Sequence, residues 1–216
     1  MELKEFAQIV AGVIIFAVVG SFSFLVLQNW AALPKVLLFS AIIVFLAVFT
    51  KKLAAYLLDC DVEHEVWKFS RYGIKQSHYL KKEIPAGIIF PLVITLFSWG
   101  AVKFGAILSY EARALKKRAA KRFGPFSFSE LTEWHNGLIG AAGIVALFLL
   151  AIISYLINQE YLAKLSIFYA LSNILPLPKL DGLQIFCGSR VLYTTLAVIA
   201  LILGVGAILI LHSPLL

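Results

Sequence analysis

Charge is scarce in this chain. Of its 216 residues 14% are Asp, Glu, Lys or Arg, against 61% hydrophobic. That ratio excludes an ordinary soluble domain, which could not keep so much apolar surface away from water. Cysteine is scarce as well. The two present, Cys60 and Cys187, lie far apart, which excludes a disulfide scaffold and a Cys-x-x-Cys metal site and reads as two free structural thiols. Internal repeats and low-complexity linkers are missing too. The net charge of +7 would suit nucleic acid only on a soluble basic domain, and none is visible, so a nucleic-acid partner is not expected.

Long apolar runs are what the chain has in abundance. Runs of about 20 uncharged residues cross a bilayer as helices. Four are plain, at 6–28, 84–102, 136–158 and 191–211. A fifth, at 36–50, is interrupted by Lys51 and Lys52 and resumes at 53–58; a sixth, at 165–178, is short. The first run is too long for a signal-peptide core and no small-residue cleavage site follows, so it is kept as a helix. The expectation is an all-α polytopic membrane protein with five or six transmembrane helices. Short strands or interfacial segments would lie in its cytoplasmic loops, and residues 1–216 would make one membrane domain in contact with lipid.

Basic residues orient it. Residues 51–83 hold seven Lys and Arg and residues 109–133 hold six, whereas the turns near 29–35 and 158–164 hold one each. Positive loops stay cytoplasmic. The N-terminus and both basic segments are therefore expected on the cytoplasmic face of a multi-pass cell-membrane protein. If residues 84–108 cross once, the two basic segments face opposite sides. If they dip in and return, bent at Pro91 or near 98–100, the charge rule holds throughout. Both routes stay open.

Between the runs, residues 59–83 mix aromatic, β-branched and charged residues, which suits short strands or a surface-lying segment. Residues 109–122 read as a solvated basic loop or a short amphipathic helix. In the stretch 124–134, Ser127 or Ser129 can cap a helix, with Glu130 at capping-box spacing from Ser127 and Trp134 at the interface. The string GLIGAAG at 137–143 puts small residues one turn apart, which lets another helix approach closely.

The most specific stretch is Asn173-Ile-Leu-Pro176-Leu-Pro178-Lys-Leu180-Asp181-Gly182. It resembles the N-x-x-P-x-P-x-L-D-G signature of the site-2 protease family of intramembrane zinc metalloproteases, and the continuation to Tyr193 resembles its archaeal members. A weaker likeness lies upstream, where Ala142-Gly143 match an A-G-P motif and Ile144 replaces its Pro. The likeness covers a core of about 36–193 and is strong over 170–193. It implies a zinc site in which two His at i and i+4 of H-E-x-x-H share a helix face, the Glu activates the metal-bound water, and an Asp supplies the third ligand. That Asp corresponds to Asp181.

H-E-x-x-H is missing. Aligning the family pattern on Cys60 places it over Ala47-Val48-Phe49-Thr50-Lys51, so Ala47 and Lys51 replace the ligands and Val48 replaces the base. The string His64-Glu65-Val66-Trp67-Lys68 also carries Lys for the second His. An ammonium at a ligand position repels Zn²⁺ and can pair with Asp181, which reduces the cost of an intramembrane charge. Alternatively, Lys51 and Lys52 mark the end of the second helix and snorkel to headgroups. A different metal set is Cys60, His64 and Asp181, with His78 and His135 as further candidates.

The leading expectation is a non-catalytic homologue, with no cofactor. It keeps the fold, uses Asn173, Pro176, Pro178, Asp181 and Gly182 to shape a broken helix end, and binds transmembrane peptides or membrane-protein partners. The alternative is an active intramembrane zinc protease with non-standard ligands that cleaves membrane-embedded peptides. A transporter or lipid-binding role ranks last, because the apolar runs hold few polar groups.

Overall fold

A computed structural model describes residues 3–71, 79–115 and 131–209. In chain order the elements are α1 (Leu3–Val26), a 3₁₀ turn (Trp30–Ala32), α2 (Leu33–Leu57), β1 (Cys60–Val66), β2 (Phe69–Arg71), β3 (Tyr79–Ile84), α3 (Ala86–Phe97) and β4 (Leu108–Ala114). They continue with α4 (Glu133–Leu156), α5 (Glu160–Asn173), α6 (Asp181–Gly188) and α7 (Arg190–Leu209). Among the described residues, four helical segments are long and apolar enough to cross a membrane: α1, α2 with its preceding 3₁₀ turn, α4, and α7 up to Ile208. Their outward faces carry bare Leu, Ile, Val and Phe, as expected where lipid is the solvent. The fifth apolar stretch, α5, has 14 residues and is buried on nearly every side.

Local chemistry sets the breaks. Gln28 takes a positive φ of 56° and Pro34 opens α2 near its first position, where a missing N–H costs nothing. The expected capping serines, Ser127 and Ser129, lie outside the described residues. Thr132 caps α4, its Oγ1 accepting from the His135 N–H at 3.4 Å. Trp134 follows in the first turn, half-exposed.

The described strands form two antiparallel pairs, β1 with β4 and β2 with β3. In the first, His64 lies opposite Tyr110 and Val66 opposite Leu108. The N–H groups of His64 and Val66 donate to Glu5 Oε1 at 3.1 Å and Gln8 Oε1 at 2.8 Å. These two cross-strand pairs are therefore the non-hydrogen-bonded ones, and α1 seals the free edge of β1 with two polar side chains.

Residues 84–108 run out and back. They leave from β3, which pairs with β2, and return into β4, which pairs with β1. Helix α3 carries them away from the sheet; the turn comes at 98–101, where Trp99 and Gly100 take positive φ of 52° and 77°. The chain then returns extended through 103–107. Pro91 sits inside α3 without ending it, so of the two candidate bends the Ser98–Gly100 position is the one used. At the base, Trp67 N–H donates to Ile107 C=O and Gly87 N–H to Trp67 C=O, both at 2.8 Å.

Gly87 allows this closure, since a Cβ there would lie 2.2 Å from the Ile107 carbonyl oxygen. Gly87→Ala is expected to destabilise the protein by about 1–3 kcal/mol, the usual range for overpacking. Thermal unfolding in detergent would show it, and an unchanged midpoint would refute the close approach.

Candidate functional site

Helix α2 turns Ala47, Val48 and Lys51 inward; all three are buried. The Lys51 Nζ lies 2.7 Å from Asp181 Oδ1 and 2.6 Å from Oδ2. The pair is nearly dry, with side-chain exposures of 6% and 3%. Separation in sequence is 130 residues, so only the fold brings the two together. Lys52, one residue on, behaves differently: it is 30% exposed and pairs with Glu5 at 2.7 Å.

Neighbours are shaped around the pair. The Lys51 ammonium sits 4.9 Å from the Tyr110 ring centroid, and Tyr110 is anchored by donating its O–H to Asn136 C=O at 2.7 Å. The aliphatic stem of Lys51 lies against Gly143, where a Cβ would be 2.7 Å from Lys51 Cε. Gly137 and Gly140 on the same helix lie against α6. The small-residue string at 137–143 thus admits one helix and one lysine stem.

The proline-rich stretch delivers Asp181. Asn173 Nδ2 donates to Tyr169 C=O at 2.9 Å and to Gly105 C=O at 3.4 Å, tying the end of α5 to the extended return of the 84–108 segment. Pro178 C=O accepts from Trp67 Nε1 at 2.8 Å. Asp181 then opens α6, where an acid faces the positive end of the helix dipole. Gly182 follows because a Cβ there would lie 2.0 Å from Ile174 C=O.

The remaining sequence candidates are placed apart. Cys60 and His64 lie on β1, where a four-residue step spans about 13 Å, roughly twice the distance on a helix. Cys60 Sγ contacts Leu58 C=O at 3.2 Å. His64 Nδ1 lies 3.3 Å from Glu5 Oε1, while Nε2 is buried with no partner among the described residues. Burial first, then Lys51 and Lys52, push the His64 pKa down to about 2. The ring is therefore neutral, and its contact with Glu5 is an Nδ1–H hydrogen bond rather than an ion pair. His135 sits at the Thr132 cap, and His78 falls outside the described residues.

These residues do not fit a zinc ion of the family's type. Ala47 offers no donor atom, Lys51 brings a positive charge to the second position, and both Asp181 oxygens are engaged by that charge. No group of three His, Cys, Asp or Glu side chains among the described residues could share an ion. Glu5, Gln8, Tyr110 and Gln184 were not singled out in the sequence. Glu5 had a signal, an acid within one turn of an apolar run; the others had none. The chain matches no family model, no curated protein and no solved structure.

Two outcomes follow. Lys51→Ala strands a buried carboxylate and is expected to cost about 3–5 kcal/mol, whereas Lys51→Met with Asp181→Leu is expected to regain most of it. Chemical denaturation of the three proteins in detergent measures this, and equal losses in single and double variants would rule out coupling. The His64 pKa lies below its unfolded value, so the unfolded chain binds the extra proton first. Stability is then complete above pH 6.5 and falls as pH drops toward 2, by about 1.4 kcal/mol per unit from this group. The slope between about pH 6 and 4 should be shallower in His64→Asn; identical slopes would contradict a neutral His64.

Proposed function

We propose that this chain is a non-catalytic homologue of the site-2 proteases that holds transmembrane segments or membrane-protein partners. One observation carries the reading. A buried ammonium–carboxylate pair occupies the positions that the resemblance assigns to metal ligands, and no described residue beside it offers a metal-bound or base-activated water. Ala47, Val48 and Lys51 take the places of ligand, base and ligand, while Asn173, Pro176, Pro178, Asp181 and Gly182 keep the surrounding backbone shape.

Support for a holding role comes from β4. The N–H groups of His64 and Val66 turn to α1, so the matching groups of Tyr110 and Leu108 point away from β1. There Tyr110 C=O receives Gln184 Nε2 at 3.3 Å, while Gln184 Oε1 is buried without a partner among the described residues. An extended segment laid along this edge would gain main-chain hydrogen bonds in place of one side-chain contact.

In this reading the protein is multi-pass, with α1, α2, α4, α5 and α7 crossing the membrane. The sheet end, which carries the N-terminal turns of α1, is cytoplasmic. Residues 84–108 enter and return, and α7 ends outside. Irregular backbone at membrane depth is tolerated here because helices cover it.

Metal analysis of purified protein tests the proposal. Wild type is expected to hold no stoichiometric zinc. The variant A47H/V48E/K51H is expected to gain one zinc per chain and to lose it when Asp181→Ala is added. Stoichiometric zinc in the wild type that disappears in Asp181→Ala would establish the alternative, a zinc protease with unusual ligands.

A further inference from the structure

Three helices leave a hollow at the end of the bundle away from the sheet. The Asn136 end of α4 meets Tyr110 of β4, so Ala151–Leu156 lie at the far end of that helix. Helix α5 packs on both α4 and α7, whereas α4 and α7 meet each other sparsely. Between their far ends, over the first turns of α5, runs an apolar groove of about 320 Å³. Its floor is a small cluster of its own: Ala151, Ile167 and Ala207 are buried, with Leu171 and Leu203 packed against them. Its rim is Ile152, Tyr155, Leu156 and Ile202, all half-exposed or more.

Residue size makes the hollow. Ala151, Ala163 and Ala207 line it with short side chains. Gly206 goes further, since a Cβ there would meet nothing within 4 Å. Gly204, two residues earlier, differs: its Cβ would stand 2.7 Å from Leu171 Cδ1. Gly204 is small because α5 needs the room. Gly206 has no such neighbour among the described residues, and glycine weakens a helix.

Shape and chemistry say what fits. One turn of helix is about 10–12 Å across and 5.4 Å long, roughly 400–600 Å³, so the groove is too small for a partner helix. Water finds little there, because the Tyr155 hydroxyl is the one polar side-chain group among the described lining residues. An apolar cavity of about 150 Å³ holds a benzene ring, so a groove about twice that size suits roughly 12 carbons of a hydrocarbon chain. Left empty, the lining would forfeit dispersion contacts.

The mouth suits the other end of such a molecule. Tyr155 stands near the end of α4, at the depth where phenols meet headgroups. Lys164 directly follows Ala163, a lining residue. Lys103 lies over the Tyr161 ring at 5.7 Å and is close enough to Lys164 for their charges to interact. Against these two ammonium groups the first turn of α5 brings one carboxylate, Glu160. The balance is positive, which favours an anionic headgroup.

We propose that the groove between α4, α5 and α7 binds one phospholipid, with an acyl chain over Ala151, Gly206 and Ala207 and the phosphate of an anionic headgroup beside Lys164. The site requires a chain that lies in a membrane; it does not rest on the holding role proposed above.

Native mass spectrometry of the full chain, purified from membranes in mild detergent, tests this. One phospholipid per chain is expected, with phosphatidylglycerol taken in preference to phosphatidylcholine when both are offered in equal amounts. Gly206→Phe puts a side chain into the empty space and is expected to lower retention about tenfold or more, without lowering the thermal midpoint. Gly206→Leu should act in the same direction and serves if the larger side chain prevents folding. Leu201→Phe, on the bare face of the same helix, should leave retention unchanged. Lys164→Gln should cut the preference for phosphatidylglycerol about fivefold while lipid is still held. No lipid on the wild type, equal retention in Gly206→Phe, or equal loss in Leu201→Phe would overturn the site. A wild-type dimer that Gly206→Phe splits would also overturn it and give the groove to a second copy. An unchanged preference in Lys164→Gln would overturn the headgroup contact.

Discussion

A single desolvated contact organises the middle of this protein. A carboxylate and an ammonium buried together are tolerable when each fully meets the other, and severely unfavourable when either is alone. Much of the surrounding sequence follows from that condition. Gly143 makes room for the lysine stem, Tyr110 presents a ring face to the cation, and Gly182 lets α6 start close enough to bring Asp181 in. The helix dipole of α6 adds its positive end to the same carboxylate. The pair also binds α2 to the α5–α6 connection across 130 positions of sequence.

Around that centre the fold solves a second problem, irregular backbone among apolar helices. The outer edge of β1 is closed by Glu5 and Gln8 from α1, an unusual use of polar residues at the start of an apolar helix. Glu5 serves three partners: the His64 N–H, the His64 ring and Lys52. The opposite edge, on β4, is met by the Gln184 side chain. One edge is sealed by two main-chain hydrogen bonds to α1, and the other is met by one side-chain hydrogen bond. This asymmetry gives the proposed holding role a direction.

Some of this was open to reading in the residues. The apolar runs of α1, α2, α4 and α7 follow from bilayer thickness alone. The small residues at 137–143 announced a close approach, and the Lys51–Asp181 pair was one of two readings of a lysine standing where a ligand would be. The capping residue was missed: Thr132 starts α4, while the expected serines lie earlier. Cys60 and His64 stood as an alternative metal pair, but the strand they occupy puts them about 13 Å apart. The route of 84–108 had two solutions, because hydropathy records length and polarity but not a turn made by Trp99 and Gly100.

By itself the sequence determined the apolar character, the main helices and the absence of an H-E-x-x-H string, since each depends on residue types within a short window. Only the tertiary structure decided which charges meet and where the 84–108 segment turns. It also decided which strand edge is covered. Glu5 with His64 and Lys52, Gln8 with Val66, and Lys51 with Asp181 join residues 47 to 130 positions apart. Such pairs leave no local trace, because burial and hydrogen bonding are properties of the packed chain rather than of its neighbours in sequence.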